Sequence, residues 1–234
     1  LKGEAFNIPF NFNYKKKFDH LDTEEMEFIA KKLKLEIFNT HNFLENNESK
    51  GKNIISFFNS KVNSNYKIEN DIMIFNSRKS RIKNSRITYN GVLSADPFDL
   101  NLNINMDNFD LRKLFDKNLI LKELIKTNLL FNENISIRSL VKIKPNLKNK
   151  IFQNVKINFN IINGKININK TRLINDKIGL LELENSNLSY DGERLILNTD
   201  IIVDIKKSNE LFSLLQTNKK FRKPITNIFI NLNY

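Results

Sequence analysis

Apolar and polar residues alternate strictly along residues 97–107, "PFDLNLNINMD". The apolar members are Phe98, Leu100, Leu102, Ile104 and Met106, and every residue between them is Asn or Asp. Because successive side chains of a β-strand point to opposite faces, this period of two predicts a strand with one dry and one wet face. The polar half is mostly uncharged Asn, so the pattern indicates architecture rather than chemistry.

The same alternation predicts strands along most of the chain. They fall within residues 5–14, 33–39, 71–77, 85–95, 135–144, 155–169, 178–205 and 224–234. Asn163-Gly164 predicts a two-residue type I′ hairpin turn, and Asp191-Gly192 predicts a second hairpin. Asn90-Gly91 also indicates a turn, between two apolar runs.

Two segments have helical rather than alternating periodicity. Residues 109–131, "FDLRKLFDKNLILKELIKTNLLF", place Leu, Ile and Phe at helical spacing without Pro or Gly, which predicts an amphipathic helix. A shorter helix is predicted at residues 209–217, with Ser208 as its cap and Glu210 in its first turn. We therefore predict a mainly β chain, a long antiparallel meander of ten or more strands interrupted by two amphipathic helices.

This pattern divides the chain into an antiparallel β segment at residues 1–107, a helix at 108–131 and a second β region at 132–234. Alternation leaves the role of the dry face open. In a β-sandwich the dry faces of two sheets meet and close a core, whereas in a barrel or gutter-shaped sheet they can line a hollow. Bulky Phe and Ile at inward positions are compatible with both.

The net charge of +12 raises the alternative of a nucleic-acid-binding module. Basic residues are densest in "YKKKF", "SRKSRIKNSR" and "NKKFRK", and are otherwise scattered. Abundant Lys, Asn, Ile and Phe are also what AT-rich coding produces. The aromatic residues fall on the apolar faces of the strands, where they cannot stack on bases. We therefore expect no nucleic-acid partner.

The chain offers little catalytic chemistry. It has no Cys, and its two His residues, His20 and His41, are not at metal-ligand spacing. No phosphate-binding loop or nucleophile elbow occurs. The acidic run at residues 22–27, "DTEEME", is typical of a solvated turn or of the first turn of a helix. We expect no enzyme, no catalytic residues, no cofactor and no metal.

The sequence begins with Leu1, which suggests a fragment of a longer protein. Within it no apolar run approaches the roughly 20 residues that a membrane-spanning helix needs.

The C-terminal part of the chain resembles the C-terminal regions of AsmA-like proteins. The shared features are an alternating strand ending in a turn before "GKININ", an "IGLLELEN" strand, a strand pair, and the run "ELFSLLQTNKKFRKPITNIFINLNY". Upstream, "YNGVLSADPFDLNLNINMDNFDLRKLF" is similar to the family's Gly-bearing strand, Pro-Phe strand, long alternating strand and helix. Together these features cover most of residues 85–234, and they include no catalytic signature.

This resemblance implies a curved, groove-like sheet with an apolar inner face, as in repeating β-groove proteins of the AsmA and TamB type. Such proteins are typically held in the bacterial inner membrane by one N-terminal helix and extend into the periplasm. They are linked to outer-membrane biogenesis and to phospholipid movement between the membranes. Residues 132–234 would be the AsmA-like C-terminal β region, and the two helices would plug or cap the groove.

The resemblance also implies which side chains line the groove. These are Phe98, Leu100, Leu102, Ile104, Met106, Val155, Ile157, Phe159 and Ile161. The expected partners are a phospholipid or other acyl-chain lipid, and the membrane through an anchor outside this fragment. Two alternatives stay open, a structural periplasmic scaffold with a filled interior and the basic nucleic-acid-binding module.

Overall fold

The computed structural model describes most of the chain. The described residues are 1–5, 7–18, 22–44, 48–57, 60–82, 85–112, 127, 129–146, 151–191 and 194–234. They form sixteen β-strands and one α-helix. The strands are β1 Lys2–Ala5, β2 Ile8–Phe18, β3 Asp22–Ala30, β4 Leu35–Phe43, β5 Ser49–Phe57, β6 Ser60–Glu69, β7 Ile72–Ile82, β8 Ser85–Ala95, β9 Phe98–Phe109, β10 Ser136–Pro145, β11 Asn154–Ile162, β12 Lys165–Asn167, β13 Thr171–Asn175, β14 Gly179–Asp191, β15 Arg194–Ile205 and β16 Asn227–Asn233. The helix α1 is Ser208–Leu214, and short 3₁₀ turns lie at Lys31–Leu33, Leu129–Phe131 and Lys219–Phe221.

All sixteen described strands belong to one sheet, in which each strand lies beside its neighbour in sequence. β12 and β13 are the exception, because together they fill one lane between β11 and β14, giving fifteen lanes in all. The prediction of a mainly β chain built on one long, predominantly antiparallel sheet is confirmed. Its short hairpins follow from strong alternation with turn residues between the runs.

One pair of strands departs from the predicted antiparallel meander. β9 and β10 are parallel, with Leu102 opposite Ser139 and Ile104 opposite Val141. Parallel strands cannot be joined by a hairpin and need a crossover connection, which residues 110–135 supply here. Alternation reports which face a side chain occupies and carries no information on strand direction, so the prediction was wrong at this pair.

The predicted helix at residues 108–131 lies largely outside the described residues. At its two ends, β9 continues to Phe109, and Leu129–Phe131 forms a 3₁₀ turn. The predicted helix at 209–217 is α1, which begins at Ser208 and ends at Leu214. Its N-cap position is Lys207, which makes no side-chain capping bond, so the assignment of Ser208 as the cap was wrong.

The two Asn-Gly dipeptides have opposite outcomes. Asn163 and Gly164 have φ of 51° and 66°, the two positive values that a type I′ turn requires, so that hairpin is confirmed. Asn90-Gly91 is not a turn, because β8 runs straight through it. Gly91 is buried in the middle of the sheet, opposite Phe75 on β7 and Leu102 on β9.

The acidic run at residues 22–27 is also not a turn or a helix start, because it forms most of β3. Glu24 pairs with Lys16 of β2, and the two side chains form an ion pair at 3.7 Å. Lys17 forms a second ion pair with Glu25. Cross-strand charge pairing therefore makes a strand of residues that, taken alone, favour a turn.

Three clusters of buried apolar residues hold the sheet together, and each is named here by its position. The N-terminal cluster is Ile8, Ala30 and Leu33; the central cluster is Phe109, Leu111, Ile143 and Val155; the C-terminal cluster is Leu130, Ile161 and Ile166. The 3₁₀ turn of the crossover touches two of them. Leu129 packs against the N-terminal cluster, and the next residue, Leu130, belongs to the C-terminal cluster.

Candidate functional site

The nine predicted groove residues lie on one face of the sheet, which we call the apolar face. Residues directly opposite each other in neighbouring strands share a face. Four such sets run across β9, β10 and β11: Leu100–Ile137–Ile161, Leu102–Ser139–Phe159, Ile104–Val141–Ile157 and Met106–Ile143–Val155. Phe98 begins β9 at the edge of this region, opposite Ala95 of β8. The fold thus brings together two segments that are about fifty residues apart in the chain.

The Asn residues of β9 occupy the opposite face, which we call the polar face. Asn101, Asn103 and Asn105 are exposed, whereas Leu102, Ile104 and Met106 are half-buried. Uncharged Asn lets the polar face meet water without adding like charges along a strand that is flanked by neighbours on both sides. The alternation therefore serves to keep a single layer wet on one side and apolar on the other.

The predicted residues differ in how well they are covered. Val155 and Ile161 are 4% and 0% exposed, because they belong to the central and C-terminal clusters. Between those clusters, Leu102, Ile104 and Phe159 are only half-buried. The region thus has two closed ends and a more accessible middle.

The apolar face extends well beyond the predicted residues. One row of register-linked side chains crosses eight lanes without a polar member: Ile87, Met106, Ile143, Val155, Leu173, Leu181, Val203 and Ile228. We call this the apolar row. At about 4.8 Å between neighbouring strands, it is about 34 Å long. The sequence predicts two of its members as groove residues, Met106 and Val155, and not the other six, because register is not visible in the sequence.

A polar cluster interrupts the apolar face in the N-terminal half. The hydroxyl of Tyr66 lies 2.9 Å from Nδ1 of His41, and Nδ2 of Asn39 donates to it at 2.8 Å. The same amide donates to Oδ1 of Asn53 at 2.6 Å. Opposite Tyr66 is Gly51, whose missing side chain leaves space for the phenol ring.

Burial governs the ionisation of this polar cluster. It lowers the pKa of His41, an effect that the nearby Glu24 carboxylate partly opposes, and it raises the pKa of Tyr66. Burial thus favours the neutral form of His41. The Tyr66 hydroxyl donates to Oδ1 of Asn39 at 3.2 Å and accepts from Nδ2 of the same residue. The sequence signal was present in β4, where Asn39 and His41 continue the apolar positions Leu35 and Ile37 at the same period of two.

Across the described ranges, no three His, Asp or Glu side chains are grouped so that they could hold a metal ion. Nor does any described helix have the length and apolar character needed to span a bilayer.

No protein-family model, curated protein or solved structure matches the chain.

Proposed function

We propose that the apolar face holds the acyl chains of phospholipid, and that the protein is the periplasmic part of an AsmA-like protein involved in outer-membrane biogenesis. The observation that carries this proposal is the accessible middle of the apolar face, where Leu102, Ile104 and Phe159 are only half-buried. Beside these residues runs the apolar row, which crosses eight lanes. Its length of about 34 Å exceeds the roughly 15 Å that one leaflet of acyl chains occupies in a bilayer. An acyl chain lying against the half-buried side chains of the apolar face would gain up to about 0.8 kcal/mol for each methylene removed from water.

The exposed area of the chain supports a sheet that is not covered by a second layer. The protein exposes 15,934 Å². A compact monomer of 27.5 kDa exposes about 11,000 Å², so the excess is about 5,000 Å². A single sheet whose faces are not packed against a second sheet accounts for an excess of this size.

The contacts of the crossover support a curved sheet. Ile8 and Ala30 lie on β2 and β3, whereas Ile161 lies on β11, eight lanes beyond β3. In a flat sheet those lanes would be about 38 Å apart. Leu129 packs against the N-terminal cluster, which contains Ile8 and Ala30, and Leu130 belongs to the C-terminal cluster, which contains Ile161. The Cα atoms of these two consecutive residues are only about 3.8 Å apart. A sheet curled around residues 129–130, with the apolar face inside, reconciles these contacts.

The wider cellular role rests on the resemblance to AsmA-like proteins. On that basis we propose that the chain lies in the periplasm and that the protein is attached to the inner membrane through a helix outside residues 1–234. Holding or conducting lipid requires no covalent step, so we propose a non-enzymatic function. Acyl chains would contact the apolar face, and headgroups would stay at the open rim.

The proposal is tested by the lipid content of the purified protein. Leu102→Asp places a carboxylate in the accessible middle of the apolar face, where an unpaired charge is strongly unfavourable beside an acyl chain. Asn101→Asp makes the same addition one residue earlier, on the polar face, and is the matched control. We expect phospholipid to co-purify with the wild type and with Asn101→Asp, and to be lost from Leu102→Asp.

Ile104→Ser serves as a milder second variant, in case Leu102→Asp does not fold. Each variant is first shown to retain the far-UV circular dichroism spectrum of the wild type. Wild-type protein free of phospholipid, or equal lipid content in all folded variants, would refute lipid binding by this face.

The alternative is a structural scaffold with a filled interior. The buried central and C-terminal clusters favour it, because Ile143 and Ile161 are closed off by the protein's own side chains. The same measurement separates the two functions, since a scaffold would carry no lipid and Leu102→Asp would change stability alone.

A further inference from the structure

The connection that joins the last two strands of the sheet is rich in basic and exposed apolar residues. Residues 206–223, which we call the basic segment, contain α1 and the 3₁₀ turn Lys219–Phe221. The segment contains six basic residues and one acidic residue, Glu210, which gives it a net charge of +5. The basic residues are Lys206, Lys207, Lys219, Lys220, Arg222 and Lys223. Among them Leu214, Leu215 and Phe221 are 42%, 63% and 66% exposed.

The basic segment is folded into one compact unit. Phe212 is buried and anchors α1, and the backbone N–H of Thr217 donates to its carbonyl at 2.9 Å. Nε of Arg222 donates to the carbonyl of Thr217 at 2.9 Å, which ties the 3₁₀ turn to the end of the helix. Nζ of Lys220 lies 4.9 Å from the ring centroid of Phe221. The 3₁₀ turn is therefore tied to the end of α1, and in it a charged group and an exposed aromatic ring lie side by side.

The basic segment lies at one end of the sheet. The segment begins directly after β15, which ends at Ile205, and residues 224–226 join it to β16. The first residue of β16, Asn227, lies opposite Asp204. Val203 and Ile228, the last pair of the apolar row, are one residue further into the two strands. The basic segment is thus adjacent to the end of the apolar row.

We propose that the basic segment binds the surface of a lipid bilayer containing anionic phospholipid. Leu214, Leu215 and Phe221 would enter the interface between headgroups and acyl chains, and the basic side chains would lie among the anionic headgroups. A nucleic acid or an acidic protein surface would neutralise the charge but would leave the three large apolar side chains in water. The bilayer is the partner that complements both, and binding to it does not depend on lipid in the apolar face.

A fluorescent reporter tests insertion directly, because the chain contains no Trp. Phe221→Trp places a single indole in the basic segment. Phe229→Trp is the matched control, since Phe229 on β16 is 65% exposed, almost the same as Phe221. With vesicles of phosphatidylcholine and phosphatidylglycerol, we expect a blue shift of emission for Phe221→Trp and none for Phe229→Trp. Phosphatidylcholine vesicles alone are expected to give little shift at either site.

Charge substitutions test the electrostatic part in full-length chains. Lys219→Gln/Lys220→Gln/Lys223→Gln removes three charges from the basic segment. The matched control removes three exposed lysines from β5 and β6, Lys50→Gln/Lys52→Gln/Lys61→Gln. Each basic residue near an anionic surface contributes about fivefold in partitioning, so we expect the first variant to sediment with mixed vesicles roughly a hundredfold more weakly. The control variant is expected to lose much less.

An apolar pair completes the test. Leu214→Ser/Leu215→Ser is expected to weaken vesicle binding, whereas Ile72→Ser/Ile74→Ser, an exposed pair on β7, is expected to leave it unchanged.

The proposal is overturned if the wild type sediments equally with mixed and phosphatidylcholine vesicles, if both indoles shift alike, or if the control variants lose as much binding. Phospholipid retained after the vesicles are removed reports on the apolar face, so the two proposals fail separately.

Discussion

Gly91 offers a sharp test of how the sheet is packed, because two physical effects change the free energy of unfolding of Gly91→Ala in opposite directions. Gly91 is buried in β8 and faces Phe75 of β7. A Cβ atom added there would lie 2.3 Å from Cζ of Phe75 and 2.7 Å from the backbone oxygen of Asn101 on β9. Neither distance is sterically acceptable, so the substitution forces part of the surroundings to move.

The magnitude follows from comparing the two effects. Replacing a strand glycine with alanine is favourable by about 0.5–1 kcal/mol, because glycine loses more backbone freedom on folding. Overpacking a well-filled site costs about 1–3 kcal/mol. The ring of Phe75 can rotate away, but the Asn101 oxygen belongs to the backbone of a strand paired with β8 and cannot. We therefore expect a net loss of about 1–2 kcal/mol in the free energy of unfolding.

Urea unfolding followed by far-UV circular dichroism measures this change. Asn90→Ala, at the exposed neighbouring position, is the control and is expected to change stability by less than about 0.5 kcal/mol. In the double variant Phe75→Leu/Gly91→Ala, removal of the ring should recover part of the loss, giving a coupling of about 0.5 kcal/mol or more. Gly91→Ala that equals or exceeds the wild type in stability would show that this reasoning is wrong.

Two further predictions concern stability. Because burial lowers the pKa of His41, the unfolded state takes up a proton near pH 6.5 before the folded state does. The free energy of unfolding is therefore expected to fall as the pH drops from about 6.5 through the folded-state pKa. Urea midpoints measured against pH should show this slope in the wild type but not in His41→Gln. Ile161→Ala, at a position with 0% exposure, is expected to lose about 3 kcal/mol by the cavity it leaves, whereas Ile162→Ala next to it, 49% exposed, should change by less than about 0.5 kcal/mol in the same titration. Equal effects at positions 161 and 162 would contradict the face assignment.

The candidate site was predictable to the extent that it depends on which face each side chain occupies. Alternation placed Leu102 and Ile157 on the apolar side of their own strands, and the register brings them to the same face two lanes apart. Their lateral neighbours were not predictable. Ser139 sits between Leu102 and Phe159 because β10 is parallel to β9 and pairs with it in one particular register.

The polar cluster was missed for a related reason. His41 and Asn39 occupy positions that alternation assigns to the apolar face, and each is unfavourable there alone. Tyr66, on a strand two lanes away, supplies the hydrogen bonds that make their burial acceptable. A partner from a distant strand cannot be inferred from the local pattern.

The sequence by itself determined the period of two, and with it a layer that is apolar on one side, together with the turn at Asn163-Gly164, because these depend on local backbone geometry. Tertiary structure decided the direction of β10, the continuous strand through Gly91 and the strand formed by the acidic run. In each of these three cases the outcome depends on a contact from another part of the chain. Pairing with β9 sets the first, the ring of Phe75 fills the space above Gly91 in the second, and Lys16 and Lys17 pair with Glu24 and Glu25 in the third. Local propensity is worth tenths of a kcal/mol per residue, about the size of one such contact, so neighbours in space decide where local preferences are weak.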